Sequence, residues 1–257
     1  MMNSLKFLIV AALLTVAPSA KADNCASDSV AQMSYVVCII DADRDDLRLF
    51  WKGDDGLPLR HFGALANALA VQKEHLAFAM NAGMYLPDYT PSGLYVEDGK
   101  EMRPLITSGI NAEPSKVPNF YKKPNGVFYI GRDGTGVMTT EAFDDVRPDV
   151  SFATQSGPML VIDGDIHPAF IPNSTQRTRR TGIGVCDDGQ IRLAISDGGV
   201  NFYEFAQLFR DEFECRNALF LDGGRGTGLY DPAIGRRDFS WHGGFGPMIG
   251  VVVPEDR

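Results

Sequence analysis

The feature that most constrains the fold is a succession of short apolar runs, each closed within a few residues by a turn former. The runs are Ser34–Ile40, Leu47–Trp51, His75–Met80, Gly93–Glu97, Gly126–Ile130, Met159–Ile162, Thr181–Cys186, Ile191–Ser196 and Ala218–Leu221. Between them stand Asp54-Asp55-Gly56, Asp98-Gly99, Arg132-Asp133-Gly134, Asp163-Gly164-Asp165 and Asp187-Asp188-Gly189, turn chemistry that suits hairpins. Two segments have helical spacing instead, Phe62–Gln72 and Phe202–Phe213. The second opens with Asn201 and Glu204, a capping box, and carries Phe205, Leu208, Phe209 and Phe213 on one face. The pattern predicts an α/β (α+β) chain, a large mixed β-sheet core flanked by helices. No repeat, low-complexity tract or linker divides it, so a single domain is expected.

At the N-terminus, Lys6 precedes an apolar run from Phe7 to Val16, and small residues lead to Ala20-Lys21-Ala22. This order reads as a secretory signal peptide over residues 1–22, leaving residues 23–257 as the exported domain. The apolar run is about half of the ~20 residues that cross a bilayer, so a periplasmic protein without a membrane anchor is expected. The formal charge of −9 becomes −11 once Lys6 and Lys21 leave with the signal. A surface that acidic repels nucleic acid and anionic membrane, so an anionic substrate must be met by a locally basic pocket.

Export makes disulfides the favoured state of the four cysteines, which allow three pairings. The preferred pairing joins Cys25 to Cys38, tying down the new N-terminus, and Cys186 to Cys215, linking a strand to a helix end. Buried free thiols are the alternative. No C-x-x-C is present, and His61, His75, His167 and His242 are scattered, so no zinc site is expected. Asp41-Ala-Asp43-Arg-Asp45-Asp46 lacks the glycine and terminal glutamate of a calcium loop. Gly223-Gly-Arg-Gly-Thr-Gly228 lacks the Lys-Ser/Thr of a phosphate-binding P-loop.

What remains is a set of glycine turns at strand ends, each with one functional side chain: Met80-Asn81-Ala82-Gly83-Met84-Tyr85, Lys123-Pro-Asn125-Gly126, Gln155-Ser156-Gly157-Pro158-Met159-Leu160, Arg179-Arg180-Thr181-Gly182-Ile183-Gly184, Ser196-Asp197-Gly198 and Leu221-Asp222-Gly223-Gly224. Glycine lets a ligand approach backbone N–H groups closely. In this order, from Tyr35 to Val253, the motifs resemble the phosphodiester glycosidase family of uncovering-enzyme-like domains, and its bacterial, exopolysaccharide-related branch most. The resemblance implies an α/β fold on a mixed sheet and hydrolysis of the bond between a sugar's anomeric carbon and a phosphodiester. Family members carry a serine shortly after Leu-Asp-Gly-Gly, where this chain has Arg225, Gly226 and Thr227. Thr227 is the candidate replacement hydroxyl, and Arg225 a candidate charge at the pocket mouth.

That reaction builds oxocarbenium character on the sugar while negative charge grows on the departing phosphate. Arginine matches phosphate with a planar fork of donors. Arg180, in the Arg-Thr motif, is the first candidate, with Arg177 and Arg179 as helpers. A carboxylate must stabilise the oxocarbenium, attack it or activate water, and Asp222 is the first choice with Asp197 second. Asn81, Ser156, Gly157, Thr181, Gly223, Gly224 and His167 are the expected substrate-binding set. No cofactor is called for; a divalent cation held by Asp197 and Asp222 stays open, and oligomeric state is unassigned. Two other classes are carried forward. One is a non-catalytic glycan or sugar-phosphate binding protein, favoured by the absent serine. The other is an accessory protein of exopolysaccharide processing that uses aromatics such as Tyr85, Tyr89, Phe170 or Trp241.

Overall fold

The computed structural model describes residues 24–255, so the expected signal peptide lies outside the described residues. In chain order the strands begin with β1 (Cys25–Val30), β2 (Met33–Ile40), β3 (Asp46–Phe50), β4 (Glu74–Asn81), β5 (Tyr95–Glu97) and β6 (Lys100–Arg103). Next come β7 (Gly126–Gly131), β8 (Gly134–Thr139), β9 (Val150–Ser156), β10 (Met159–Ile162), β11 (Asp165–Ile166) and β12 (Arg180–Val185). The last are β13 (Ile191–Ser196), β14 (Asn217–Gly223), β15 (Leu229–Asp231), β16 (Arg236–Arg237) and β17 (Met248–Pro254). Three α-helices, α1 (Phe62–Val71), α2 (Thr140–Val146) and α3 (Phe202–Gln207), cover them; α3 runs on into a π-helical turn over Leu208–Glu212.

The strands form three sheets, in the orders β1-β2-β13-β12-β14-β10-β11, β16-β15-β4-β17-β3 and β6-β5-β9-β7-β8. Every paired neighbour is antiparallel. The α+β class holds, while the one large mixed sheet resolves into three antiparallel ones. Tight turns explain the direction: a two-residue connection reverses the chain, whereas parallel neighbours need a crossover of a dozen residues or more. The β1–β2 turn illustrates it. Ala31 and Gln32 both have positive φ, 49° and 67°, the backbone of a hairpin whose twist matches its strands.

One core joins the sheets: Val36, Ile183 and Leu219 of the first, Leu49, Phe78 and Met80 of the second, and Tyr95 and Phe128 of the third are buried together. On the other face of the first sheet, Phe205 and Phe209 bury against Tyr35, Ala194 and Phe220. Each such aromatic removed from water contributes on the order of 2–3 kcal/mol. The capping box forms as the spacing predicts, with Asn201 Oδ1 accepting from Glu204 N at 2.9 Å and Glu204 Oε2 accepting from Asn201 N at 3.0 Å. Phe62, Leu65 and Leu69 of α1 close the second sheet against Leu76 and Val252.

Both expected disulfides are present, Cys25–Cys38 and Cys186–Cys215. The first joins register partners of β1 and β2; the second ties the residue after β12 to the segment leaving the π-helical turn. Such bridges belong to an oxidising compartment. Among the described residues no helix is long and apolar enough to cross a membrane.

Candidate active site

The three sheets meet at strand ends, and each end carries one of the polar residues singled out in the sequence. Asn81 closes β4 of the second sheet, Ser156 closes β9 of the third, and Thr181 and Asp222 face each other across β12 and β14 of the first. Asn81 Nδ2 donates to Thr181 Oγ1 at 2.7 Å, and Asn81 Oδ1 accepts from Gly228 N at 3.0 Å. Thr181 Oγ1 in turn donates to Asp222 O at 3.1 Å and accepts from Asp222 N at 3.2 Å. Ser156 Oγ donates to Leu221 O at 2.8 Å. Asn81, Ser156 and Thr181 are buried, and these bonds fix the backbone of β14 where Asp222 leaves the sheet.

Asp222 is deep in the molecule yet keeps part of its surface in contact with solvent. Burial pushes its carboxyl up to about 7, against a moderating hydrogen bond from Gly223 N to Oδ1 at 2.7 Å. No cation is among the groups acting on it. Gly226 leaves the room this carboxylate occupies: a Cβ there would lie 2.1 Å from Oδ2. Tyr85 stands close by, its phenol held above the usual range first by burial and then by the charge of Asp222. The hydroxyl donates to Gly244 O at 3.0 Å and meets His242 Nε2 at 3.0 Å, while His242 Nδ1 meets Ser240 Oγ at 2.8 Å.

Arg180, the register partner of Gly223, is only 4% exposed. Its guanidinium lies over the Phe202 ring, 3.6 Å from the centroid, and Nε donates to Val200 O at 3.0 Å. Nη2 has a long contact of 3.5 Å to Gln176 O, and Nη1 has no acceptor among the described residues. Burial pulls its pKa down to about 10, with Glu204 acting in the opposite sense. A buried, oriented guanidinium with donors to spare is suited to an anion.

The other expected residues are placed elsewhere or already occupied. Asp197 is exposed and bonded to Arg236 Nη1 at 2.7 Å, in a chain that continues through Asp238 to Arg179. Arg177 pairs with Glu204 at 2.6 Å. The Gly223 N–H serves its neighbour's carboxylate and Gly224 N donates to Arg179 O at 2.9 Å, which removes both as free oxyanion donors. His167 Nε2 contacts Lys123 O at 3.1 Å and Nδ1 accepts from Ala169 N at 3.2 Å, so both ring nitrogens are engaged. Gly157 packs under Asn125, where a Cβ would fall 2.6 Å from the asparagine's Cβ. Thr227 is buried and its hydroxyl donates to Gly224 O at 2.9 Å, closing its own turn, while Arg225 is exposed.

Three residues escaped the sequence reading as site components. In the sequence Tyr85 is an aromatic of the Asn81–Tyr85 motif and a candidate contact for a polymer or partner, and His242 is one of four scattered histidines. Gly226 looked like part of a failed P-loop. The glycine run itself was the available signal, since small residues next to an aspartate leave space for its carboxylate. Among the described residues no three His, Cys, Asp or Glu side chains are grouped to hold a metal ion.

Residues 74–251 match the family described as phosphodiester glycosidase. The chain belongs to that family. It is 30% identical over 221 residues to the uncharacterized protein YigE of Escherichia coli strain K12, covering 86% of this chain and 83% of that protein. Its fold is similar to the zebrafish N-acetylglucosamine-1-phosphodiester alpha-N-acetylglucosaminidase catalytic domain, auto-inhibited by its pro-peptide, with a TM-score of 0.60 and 16% identity over 91% of this chain and 82% of that one. A hypothetical protein from Synechocystis is also similar, with a TM-score of 0.56 and 17% identity over 89% of this chain and 61% of that one. At such identities the structural likeness speaks to fold alone.

Proposed function

We propose that this protein is an exported, periplasmic hydrolase of sugar-1-phosphodiesters, cleaving between the anomeric carbon and the phosphodiester oxygen. The observation that carries the reading is Asp222: a half-buried carboxyl on a fixed strand end, pushed by burial up to about 7, so that both protonation states are populated near neutral pH. A group so poised serves as general base or acid. In the proposed step water attacks the anomeric carbon and gives its proton to Asp222. The carbon–oxygen bond breaks with its electron pair passing to the phosphate oxygen, and free sugar and a phosphomonoester result. The phosphomonoester's second pKa near ~6 makes it a good leaving group, so its charge needs neutralising more than its oxygen needs a proton. Arg180 supplies that charge through its unpaired Nη1. Family membership supports the reaction class, and the two disulfides support export.

The binding-protein reading keeps one specific observation in its favour, the Thr227 hydroxyl turned back on Gly224 where the family's serine is expected. One experiment separates the two. The mature protein is incubated with a panel of sugar-1-phosphodiesters and the products are followed by NMR, beside Asp222→Asn and Arg180→Lys. Free sugar with an intact phosphomonoester, lost in both variants, supports the hydrolase. Saturable binding without turnover would replace it with the binding protein.

A further inference from the structure

A cavity of about 570 Å³ lies on the α3 side of the first sheet, within the roughly 300–1,000 Å³ range of small-ligand pockets. Its walls are mostly apolar, drawn from Val117, Tyr121, Ala169, Phe170, Ile171 and Phe202, and no carboxylate lines it. Two cations do. Lys123 is engaged by Glu141 and by Thr107 O. Among the described residues, Lys122 is bonded only to the neutral Asn119 Oδ1, at 2.9 Å. Arg180 stands directly behind the same wall, since its guanidinium covers the lining residue Phe202 and reaches the carbonyl of Gln176, another lining residue. The carboxylate that acts on Arg180, Glu204, is bonded to Arg177 at 2.6 Å. Burial and the charge of Arg180 both hold the Lys122 ammonium below its ordinary pKa, so the two cations sense each other across this wall.

We propose that this cavity seats the leaving group, and that the leaving group is the phosphate ester of an apolar alcohol. The phosphate sits at Lys122 against the wall of Phe202 and Gln176 that Arg180 backs, and the hydrocarbon runs along Phe170 and Ile171. This rests on the hydrolase reading given above. An anion is what two cations without a free carboxylate call for. Tyr121, Ser174 and Gln176 can meet a few hydroxyls of a second sugar, but along Val117, Phe170, Ile171 and Phe202 its other hydroxyls would have no partner, whereas an alkyl chain is removed from water there. Ile171, 67% exposed on this wall, is the kind of side chain that such a chain would cover.

The test uses the full mature protein. Titration calorimetry compares octyl phosphate with inorganic phosphate on wild type, Lys122→Gln, Lys122→Arg and Ala169→Glu, and NMR compares turnover of methyl and octyl diesters of one sugar 1-phosphate. A fully buried methylene strengthens binding by about fourfold, so octyl phosphate should bind at least tenfold more tightly than inorganic phosphate even when only partly covered. Lys122→Gln should weaken octyl phosphate by fivefold or more, Lys122→Arg should restore it, and Ala169→Glu should reduce the preference for octyl over inorganic phosphate. In turnover the octyl diester should show the lower KM. Equal affinity for the two phosphates, or indifference to Lys122, overturns the assignment. If the diesters are hydrolysed at equal kcat/KM as well, the aglycone assignment fails and the hydrolase stands. If no diester is hydrolysed yet octyl phosphate binds with the Lys122 dependence, the hydrolase fails and the cavity stands as a site for amphiphilic phosphates.

Discussion

Replacing Asp222 with asparagine should make the protein more stable at neutral pH while removing its activity, and the structure fixes the pH window. Asparagine keeps the volume of the side chain and a carbonyl oxygen for the 2.7 Å bond from Gly223 N, so the change is mainly the loss of a titratable carboxyl. In the folded protein that carboxyl is held at about 7, against an ordinary value of 3.8. Between those values the native state holds a proton that the unfolded chain has released, so native binding exceeds unfolded binding and stability falls as pH rises. Below the window both states are protonated and the carboxyl contributes no difference. Above it the ionised carboxylate destabilises the fold by on the order of 4 kcal/mol at most, at about 1.4 kcal/mol per tenfold. The partly solvent-open position of Asp222 reduces this to roughly 2 kcal/mol. Urea melts of wild type and Asp222→Asn from pH 4 to pH 9 should therefore nearly coincide at the acid end and separate by about that amount by pH 8, the variant being the more stable. All other titrating groups are common to both proteins, so their effects largely cancel in the difference. Two curves that run parallel over the whole range would refute the buried carboxyl and with it the reason for choosing Asp222 as acid or base.

Arg180→Lys keeps the charge but cannot hold the Val200 carbonyl and also present a fork, so kcat/KM in steady-state assays should fall by about 100-fold or more. Gly226→Ala places a methyl 2.1 Å from Asp222 Oδ2 and displaces the carboxylate; turnover should drop by roughly tenfold or more, with a melting temperature near that of wild type because a side-chain end, rather than backbone, must move. Asn81→Ala leaves the Thr181 hydroxyl and Gly228 N–H short of a buried partner and should lower stability by about 2–3 kcal/mol in urea unfolding, with little change in the slope of the transition.

Local chemistry was legible in the sequence where neighbouring residues decide the outcome. Asn201 and Glu204 announce their capping box because both partners sit within one helical turn. Turn triplets such as Asp187-Asp188-Gly189 mark the hairpin between β12 and β13 for the same reason. Pairing at long range is another matter. β17 lies between β3 and β4, and its Met248 pairs with Phe50 and Asn81, partners that no local pattern can select. β9 has no strand signature in the sequence, because Ser151, Thr154, Gln155 and Ser156 break up its apolar residues, although it sits centrally in its sheet. In the site, strand-end glycines pointed to Asn81, Ser156, Thr181 and Asp222 as a group. They did not reveal that the first three bond mainly to one another and to the backbone, nor that Tyr85 would meet His242, 157 residues away. Asp197 ranks second to Asp222 in the sequence because both precede glycine after an apolar strand. The difference lies in Arg236 of β16, 39 residues away in sequence, which bonds Asp197.

The separation of charges in this site is itself informative. Arg180 and Asp222 leave neighbouring strands at adjacent register positions, yet no cation acts on Asp222 and the carboxylate that acts on Arg180 is Glu204. Had the two formed a buried ion pair, each would have neutralised the other: the aspartate would be pulled below its ordinary range and the guanidinium's donors would be occupied. Kept apart, Asp222 retains a proton affinity near neutrality and Arg180 retains unpaired donors. Both conditions are unfavourable for the empty protein, since an isolated buried charge is destabilising. They become favourable when a ligand brings a proton-exchanging centre to one and an anion to the other. A glycosyl phosphate has that polarity, with the cation-like anomeric carbon at one end of the breaking bond and the phosphate at the other.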